Sequence, residues 1–334
     1  MTDTIERPVA TSGPFVRPDV RGFLDYLASV PGPKTHELDA ATARQMYYAM
    51  KDVADLPVGD LAVIRDLSIP GTAGEIKARL FDVRESRAPG PVVVFFHGGG
   101  FVIGDIDTHA SFTAEMSRQL DLPVVSIDYR LAPEARWPAA PEDCETAARW
   151  VAANPAELGR VATSLVLSGD SAGGTLTITT AMALRDDPAA LPVIVQAPIY
   201  PAADMSREYP SFNDFADGYL LTRDTMIWFA DHYQPDATHF RGSPMAGDLV
   251  GLPPAVIVTA SLDPIRDQGR AYAAALVLAG VPVTFREAVG NVHGFITLRQ
   301  AIPSSVGDVA AYLAGVKDAV VEAEGARVMR QAAG

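Results

Sequence analysis

From Pro91 onward the chain repeats one pattern. A short apolar run is followed by a longer stretch with helical spacing. The apolar runs are Val92–Phe96, Val124–Ile127, Leu165–Leu167, Val193–Val195 and Val256–Val258, and Val283–Glu287 reads as the last strand. Strands without polar alternation are buried on both faces, which predicts an α/β protein with a mostly parallel sheet covered by helices. The helices fall at about Thr108–Leu120, Pro141–Ala153, Ala172–Arg185 and Asp267–Ala279. A final helix starts near Ser304, where Val306, Val309, Leu313, Val316 and Val320 recur at spacings of three and four.

Before Pro91 the rhythm differs. Met1 to about Asp19 reads as flexible. Arg21–Val30 and about Leu38–Leu56 read as helices separated by Pro31-Gly32-Pro33. In the second, Met46, Tyr47, Met50, Val53 and Ala54 form a stripe, for which core packing is the favoured reading. The alternative is that the helix pair, residues 1–56, lies over a pocket as a cap. Ala62–Ile69 and Glu75–Val83 alternate apolar and charged residues, as an edge hairpin joined through Pro-Gly-Thr-Ala-Gly would. Residues 57–334 then make one catalytic domain. Within it, residues 200–253 break the strand–helix rhythm with Tyr209, Phe212, Phe215, Tyr219, Trp228, Phe229, Tyr233 and Phe240, and read as a second cap segment.

Composition narrows the classes. The 334 residues are 48% hydrophobic and 20% charged, as in a soluble globular protein. A formal net charge of −14 argues against nucleic acid and anionic membrane surfaces, because it repels both. One cysteine, Cys144, excludes an internal disulfide and points to a reducing, cytoplasmic setting. The first twenty residues lack the apolar core of a secretory signal. No apolar run reaches the roughly 18 residues of a membrane span.

The chemistry centres on Leu165-Val166-Leu167-Ser168-Gly169-Asp170-Ser171-Ala172-Gly173-Gly174, an apolar strand running into Gly-x-Ser-x-Gly and then a helix. Strand, strained turn and helix are the context of a nucleophile elbow, which exposes the serine Oγ above a helix N-terminus. A serine needs a base within hydrogen-bond reach, and the base needs an orienting acid; on such sheets these follow the serine in the order acid, then histidine. Of six histidines, only His293 lies beyond residue 239, in a loop after the last strand. His36, His109, His232 and His239 read as surface or capping residues. Asp263, just past the strand Ala255–Ala260, is favoured as the acid; Asp267 competes, with an N-cap or an Arg266 partner as its ordinary role. An oxyanion needs donors already in place. The amide of Ala172 is one, and His97-Gly98-Gly99-Gly100-Phe101, directly after a strand, supplies others. No His, Cys or carboxylate cluster has metal-ligand spacing.

Taken in order, these residues resemble the bacterial hormone-sensitive-lipase-like esterases, the family IV lipolytic enzymes. The motifs are His97-Gly98-Gly99-Gly100-Phe101, Asp128-Tyr129-Arg130-Leu131-Ala132-Pro133-Glu134, Pro138-Ala139-Ala140-Pro141-Glu142-Asp143, Gly169-Asp170-Ser171-Ala172-Gly173-Gly174, Asp263-Pro264-Ile265-Arg266-Asp267 and His293-Gly294-Phe295. Asp170 matches the GDSAG subgroup. The resemblance implies an eight-stranded α/β-hydrolase sheet, an N-terminal cap and hydrolysis of short- to medium-chain carboxylic esters without cofactor or metal. Ser171 would be the nucleophile, His293 the base and Asp263 its orienting acid. Gly99, Gly100 and Ala172 would form the oxyanion hole, with Gly98 the weaker donor and His97 shaping the loop. Trp137 and Gln268 depart from the usual pattern. The family also suggests a homodimer through the last strand. Amide hydrolysis of the arylacetamide-deacetylase type uses the same triad, and a non-catalytic receptor of this fold would lack the histidine that His293 supplies. A histidine base further implies activity that falls below about pH 6–7.

Overall fold

The computed structural model describes residues 13–333. Most of the stretch read as flexible lies outside the described residues, but its end does not. Helix α1 runs Pro18–Ser29, so Pro18 and Asp19 are helical. Pro18 supplies the preset φ of a first helical position, and Asp19 in the first turn complements the dipole. The Asp19 carboxylate also accepts from the backbone N–H of Ser304 at 2.8 Å, which ties this end of the chain to the far end. Helix α2, Ala40–Ala54, starts at Asp39, whose side chain accepts the Thr42 N–H.

Eight strands form one sheet: β1 Val63–Gly71, β2 Gly74–Asp82, β3 Gly90–Phe96, β4 Val124–Asp128, β5 Ala162–Asp170, β6 Val193–Ile199, β7 Ala255–Leu262 and β8 Val283–Val292. Their order is β1-β2-β4-β3-β5-β6-β7-β8. The first two strands are antiparallel and the remaining six run parallel to one another. The hairpin link is shorter than the sequence suggests: Pro70 and Gly71 belong to β1, and only Thr72 and Ala73 turn.

Alternation along β3 divides the core. Val92, Val94 and Phe96 pack on one face with helices α4 (Ala139–Ala152), α5 (Ala172–Asp186) and α8 (Arg266–Leu278). Val93 and Phe95 pack on the other with α3 (Ala110–Leu120) and α9 (Ser305–Ala333). Every side chain from Val92 to Phe96 is buried, as two covered faces require. Residues 200–253 hold two further helices, α6 (Pro210–Asp214) and α7 (Arg223–Tyr233), beyond the carboxyl ends of the strands. Among the described residues no helix is long and apolar enough to cross a membrane.

The stripe on α2 is core only in part: Ala54 is buried beside α1 and Tyr47 packs against the main core. Met46, Met50 and Val53 are exposed, while Tyr47, Met50 and Ala54 border a cavity. The α2 helix is held by buried Ala40, Ala43 and Ala54 and by polar anchors. Arg44 donates to the carbonyls of Val102 (2.7 Å) and Ala132 (2.8 Å) and forks onto Glu134. Asp55, just past its end, forms a bidentate pair with Arg299 at 2.8 and 2.7 Å, and both residues are 3% exposed. Removing one partner of a buried pair strands the other charge, so Asp55→Ala should cost about 3–5 kcal/mol. Urea unfolding of the variant against the parent measures this.

Candidate active site

The site is built on the close approach of β3, β5 and α5. Ser171 sits between β5 and α5 with φ +54° and ψ −115°, a conformation an L-residue holds only under constraint. The constraint is visible on both sides. A Cβ at Gly173 would overlap the Phe96 and His97 carbonyls, and one at Gly169 would overlap the carbonyls of Gly173 and Phe96. Glycine at these positions lets α5 dock against the end of β3. The Ser171 N–H donates to the Ile199 carbonyl of the neighbouring β6 at 2.9 Å, which fixes the turn in the sheet.

Two loops bring the other groups. Asp263 follows β7 and is fully buried. One oxygen accepts the Ile265 N–H at 2.9 Å; the other lies 2.7 Å from His293 Nδ1. His293 follows β8, and its Nε2 lies 2.9 Å from Ser171 Oγ. The three side chains thus form one continuous hydrogen-bonded line. Asp267 stands apart: it faces Arg266 (2.8 Å), Arg270 (3.2 Å) and the Ser211 N–H (3.1 Å) in the first turn of α8.

The glycine loop after β3 comes next. His97 is buried, stacks on Tyr129 at 4.3 Å and contacts the Gly98 carbonyl through Nδ1 at 2.8 Å. Tyr129 in turn donates to the His97 carbonyl at 2.7 Å. Burial pushes the His97 imidazole down to about 3, so it is neutral at ordinary pH. The Gly98 N–H is spent on Asp170 at 2.7 Å. Among the described residues, the amides of Gly99 and Gly100 have no protein acceptor. Gly99, Gly100 and Ala172 border the same cavity as Ser171 and His293, and Ala172 is the first residue of α5, where the amides are free of intrahelical partners.

That cavity has a volume of about 290 Å³. Its walls are largely apolar, with Phe23 and Leu27 from α1, Tyr47 and Met50 from α2, and Met226 and Phe229 from α7. Phe229 packs against Gly100, and Tyr233 stacks on Phe101 at 3.9 Å. Among the described residues, no three or more His, Cys, Asp and Glu side chains converge as a metal-ligand set would.

The sequence reading missed a buried pair. His109 is not at the surface: it occupies the N-cap position of α3 without a side-chain capping bond, is wholly buried, and its Nε2 lies 3.2 Å from the Asp170 carboxylate. Nothing in the local pattern marks this pair, since each residue is a lone polar group in its own segment. It also missed Tyr200, whose ring packs 4.5 Å from that of His293 and whose hydroxyl reaches Asp170 at 3.4 Å.

Several known proteins similar to this chain are esterases. Residues 93–297 match the family described as alpha/beta hydrolase fold. Esterase LipI of Mycobacterium tuberculosis is 37% identical over 263 residues, 77% of this chain and 82% of that protein. Carboxylic ester hydrolase LipN of the same organism is 40% identical over 247 residues, 71% of this chain and 65% of that protein. The structure of ester-hydrolase EH1AB1, from the metagenome of Lake Arreo, superposes with a TM-score of 0.86 at 35% identity, covering 91% of this chain and 98% of that one. With its nucleophile-elbow backbone, glycine loop and parallel sheet, the chain belongs to the alpha/beta hydrolase fold family, in its hormone-sensitive-lipase-like branch, and is a carboxylic ester hydrolase.

Proposed function

We propose that this chain hydrolyses short- to medium-chain carboxylic esters through an acyl-enzyme on Ser171. The observation that carries the reading is the line Asp263–His293–Ser171, at 2.7 and 2.9 Å, beside two glycine amides without acceptors. His293 Nε2 takes the Ser171 proton as Oγ attacks the ester carbonyl. The developing oxyanion accepts from the amides of Gly99, Gly100 and Ala172, already oriented before the reaction. His293 then returns the proton to the leaving alkoxide, and later deprotonates the water that releases the acid. Asp263 stays ionised, holds the proton on Nδ1 and stabilises the imidazolium.

The substrate range follows from the walls. A cavity of about 290 Å³ lies at the lower end of the roughly 300–1,000 Å³ typical of small-molecule sites. Helices α1 and α2 act as an N-terminal cap and residues 200–253 as a second, so that acyl or alcohol groups meet Leu27, Met50 and Phe229. A cytoplasmic setting accords with a single, buried Cys144. The outer strand β8, with Phe285 41% exposed, would be covered in a homodimer.

Three outcomes are expected. Ser171→Ala should lower kcat on p-nitrophenyl butyrate by about 10⁶-fold and abolish labelling by a fluorophosphonate, and Asp263→Asn should cost about 10⁴-fold. Retention of parent activity by Ser171→Ala would refute the assignment. Across p-nitrophenyl esters, kcat/KM should be higher for butyrate and hexanoate than for palmitate. In sedimentation equilibrium the chain should run as a dimer, and Phe285→Glu should shift it to monomer.

A further inference from the structure

Asp170 is the last residue of β5, directly before the serine; it borders the cavity but takes no part in the proton transfers above. It is 4% exposed. Its Oδ1 accepts the Gly98 N–H at 2.7 Å and lies 3.2 Å from His109 Nε2, while Oδ2 is 3.4 Å from the Tyr200 hydroxyl. The carboxylate is flush against the glycine loop, so that a Cβ at Gly98 would overlap it. His109 has no exposed surface, and its Nδ1 contacts Thr108 Oγ1 at 3.0 Å. Its Nε2 contact with Asp170 is off the line of a hydrogen bond, and so is chiefly a contact between charges.

We propose that Asp170 and His109 are positioning residues: a buried carboxylate–imidazole pair that holds Gly98, and through it the Gly99 and Gly100 amides, in register with Ser171. The inference rests on the oxyanion-hole reading of those amides. Its physical basis is connectivity. Asp170 is covalently next to Ser171, and one of its oxygens grips the loop that faces Ser171. Any displacement of the elbow therefore carries the glycine loop with it, and the distance between nucleophile and donors is preserved.

The grip needs a charge, and the charge needs a partner. A protonated acid would offer a weaker acceptor to Gly98, and a lone buried carboxylate is costly. His109, at the start of α3, supplies the countercharge. Burial opposes charge on both groups. The mutual attraction outweighs it, raising the His109 pKa and holding that of Asp170 below the usual carboxylate range. The other groups around His109 are His97 at 5.7 Å, Tyr47 at 6.4 Å and Phe95 at 6.2 Å between ring centres, and the Asp105 carboxylate, which acts in the same direction as Asp170. His97 is held neutral, so it does not compete for Asp170.

Asp170→Asn and His109→Gln remove the charges at nearly constant volume, and the Asn carbonyl can still accept from Gly98. Each should lower kcat on p-nitrophenyl butyrate about 10- to 100-fold with KM within about twofold, because donors slightly out of place bind the ground state as before. Inhibition by an alkyl trifluoromethyl ketone, which forms a tetrahedral adduct with the serine, should weaken by the same factor. The double variant should lose no more than the worse single one, within about twofold, as two residues acting as one unit do. A folded variant pair with kcat and ketone inhibition within about twofold of the parent overturns the proposal, as do losses confined to thermal stability or effects that multiply in the double variant. If Asp170→Asn does not fold, His109→Gln decides by the same criteria. Fluorophosphonate labelling of Ser171 in the parent is run alongside; its absence would overturn the catalytic reading itself, and the pair with it.

Discussion

The structure depends on one close approach, where the start of helix α5 meets the end of strand β3 with only hydrogen atoms between them. Gly173 lies against the Phe96 carbonyl and Gly169 against that of Gly173. This contact leaves the chain no room to leave β5 gently. It must turn at a single residue, and Ser171 takes the positive φ that results. The strain at that residue is balanced by the buried strands that flank it and by its N–H bond to Ile199. The hydroxyl is thereby presented at the sheet edge where β3, β5, β7 and β8 all end. A flexible loop could hold the same side chains but not at constant distances.

Around that point the polar groups are arranged so that each has one task. Asp263 is buried and shared between the Ile265 amide and His293, so it orients the ring and little else. Tyr129 and His97 shape the glycine loop from below, and Asp170 takes the Gly98 amide. Among the described residues the Gly99 and Gly100 amides, which border the cavity with Ser171, have no protein acceptor. In a low-dielectric site, donors that are already oriented need not reorganise as charge develops, and this is the main source of rate enhancement in acyl transfer.

The helices over the cavity obey a different rule. Helices α1 and α2 are apolar toward the cavity, and their buried apolar contacts through Val20, Phe23 and Ala54 are supplemented by ionic anchors. Arg44 reaches the glycine loop and Glu134, Asp55 pairs with Arg299 just beyond His293, and Arg17 bonds Asp308 at 2.6 Å. The Arg44 and Asp55 anchors join α2 to the segments that follow the glycine loop and His293. An ion pair gives direction and register, which apolar packing on a half-open surface does not. The surface that α2 leaves exposed, including Met46 and Val53, is the counterpart of a wall that faces substrate space rather than core.

The parallel sheet, the alternation of strands and helices along the chain, and the candidate site residues His97 to Phe101, Ser171, Asp263 and His293 were legible in the chain alone. Unbroken apolar runs, a strand–turn–helix with flanking glycines, and one histidine after the last strand are local signals, and local signals survive in a sequence. Strand ends were less legible: β5 continues through Ser168, Gly169 and Asp170, and β8 through Gly290 to Val292, because buried polar residues paired across the sheet do not look like strand. The α2 stripe was read only partly right for a related reason, since a face turned to a cavity has the same spacing as one turned to core. The Asp170–His109 pair and the ionic anchors of the N-terminal helices belong to tertiary structure only. Their partners lie far apart in the chain, and it is the folded sheet that brings each lone charge to the one neighbour that neutralises it.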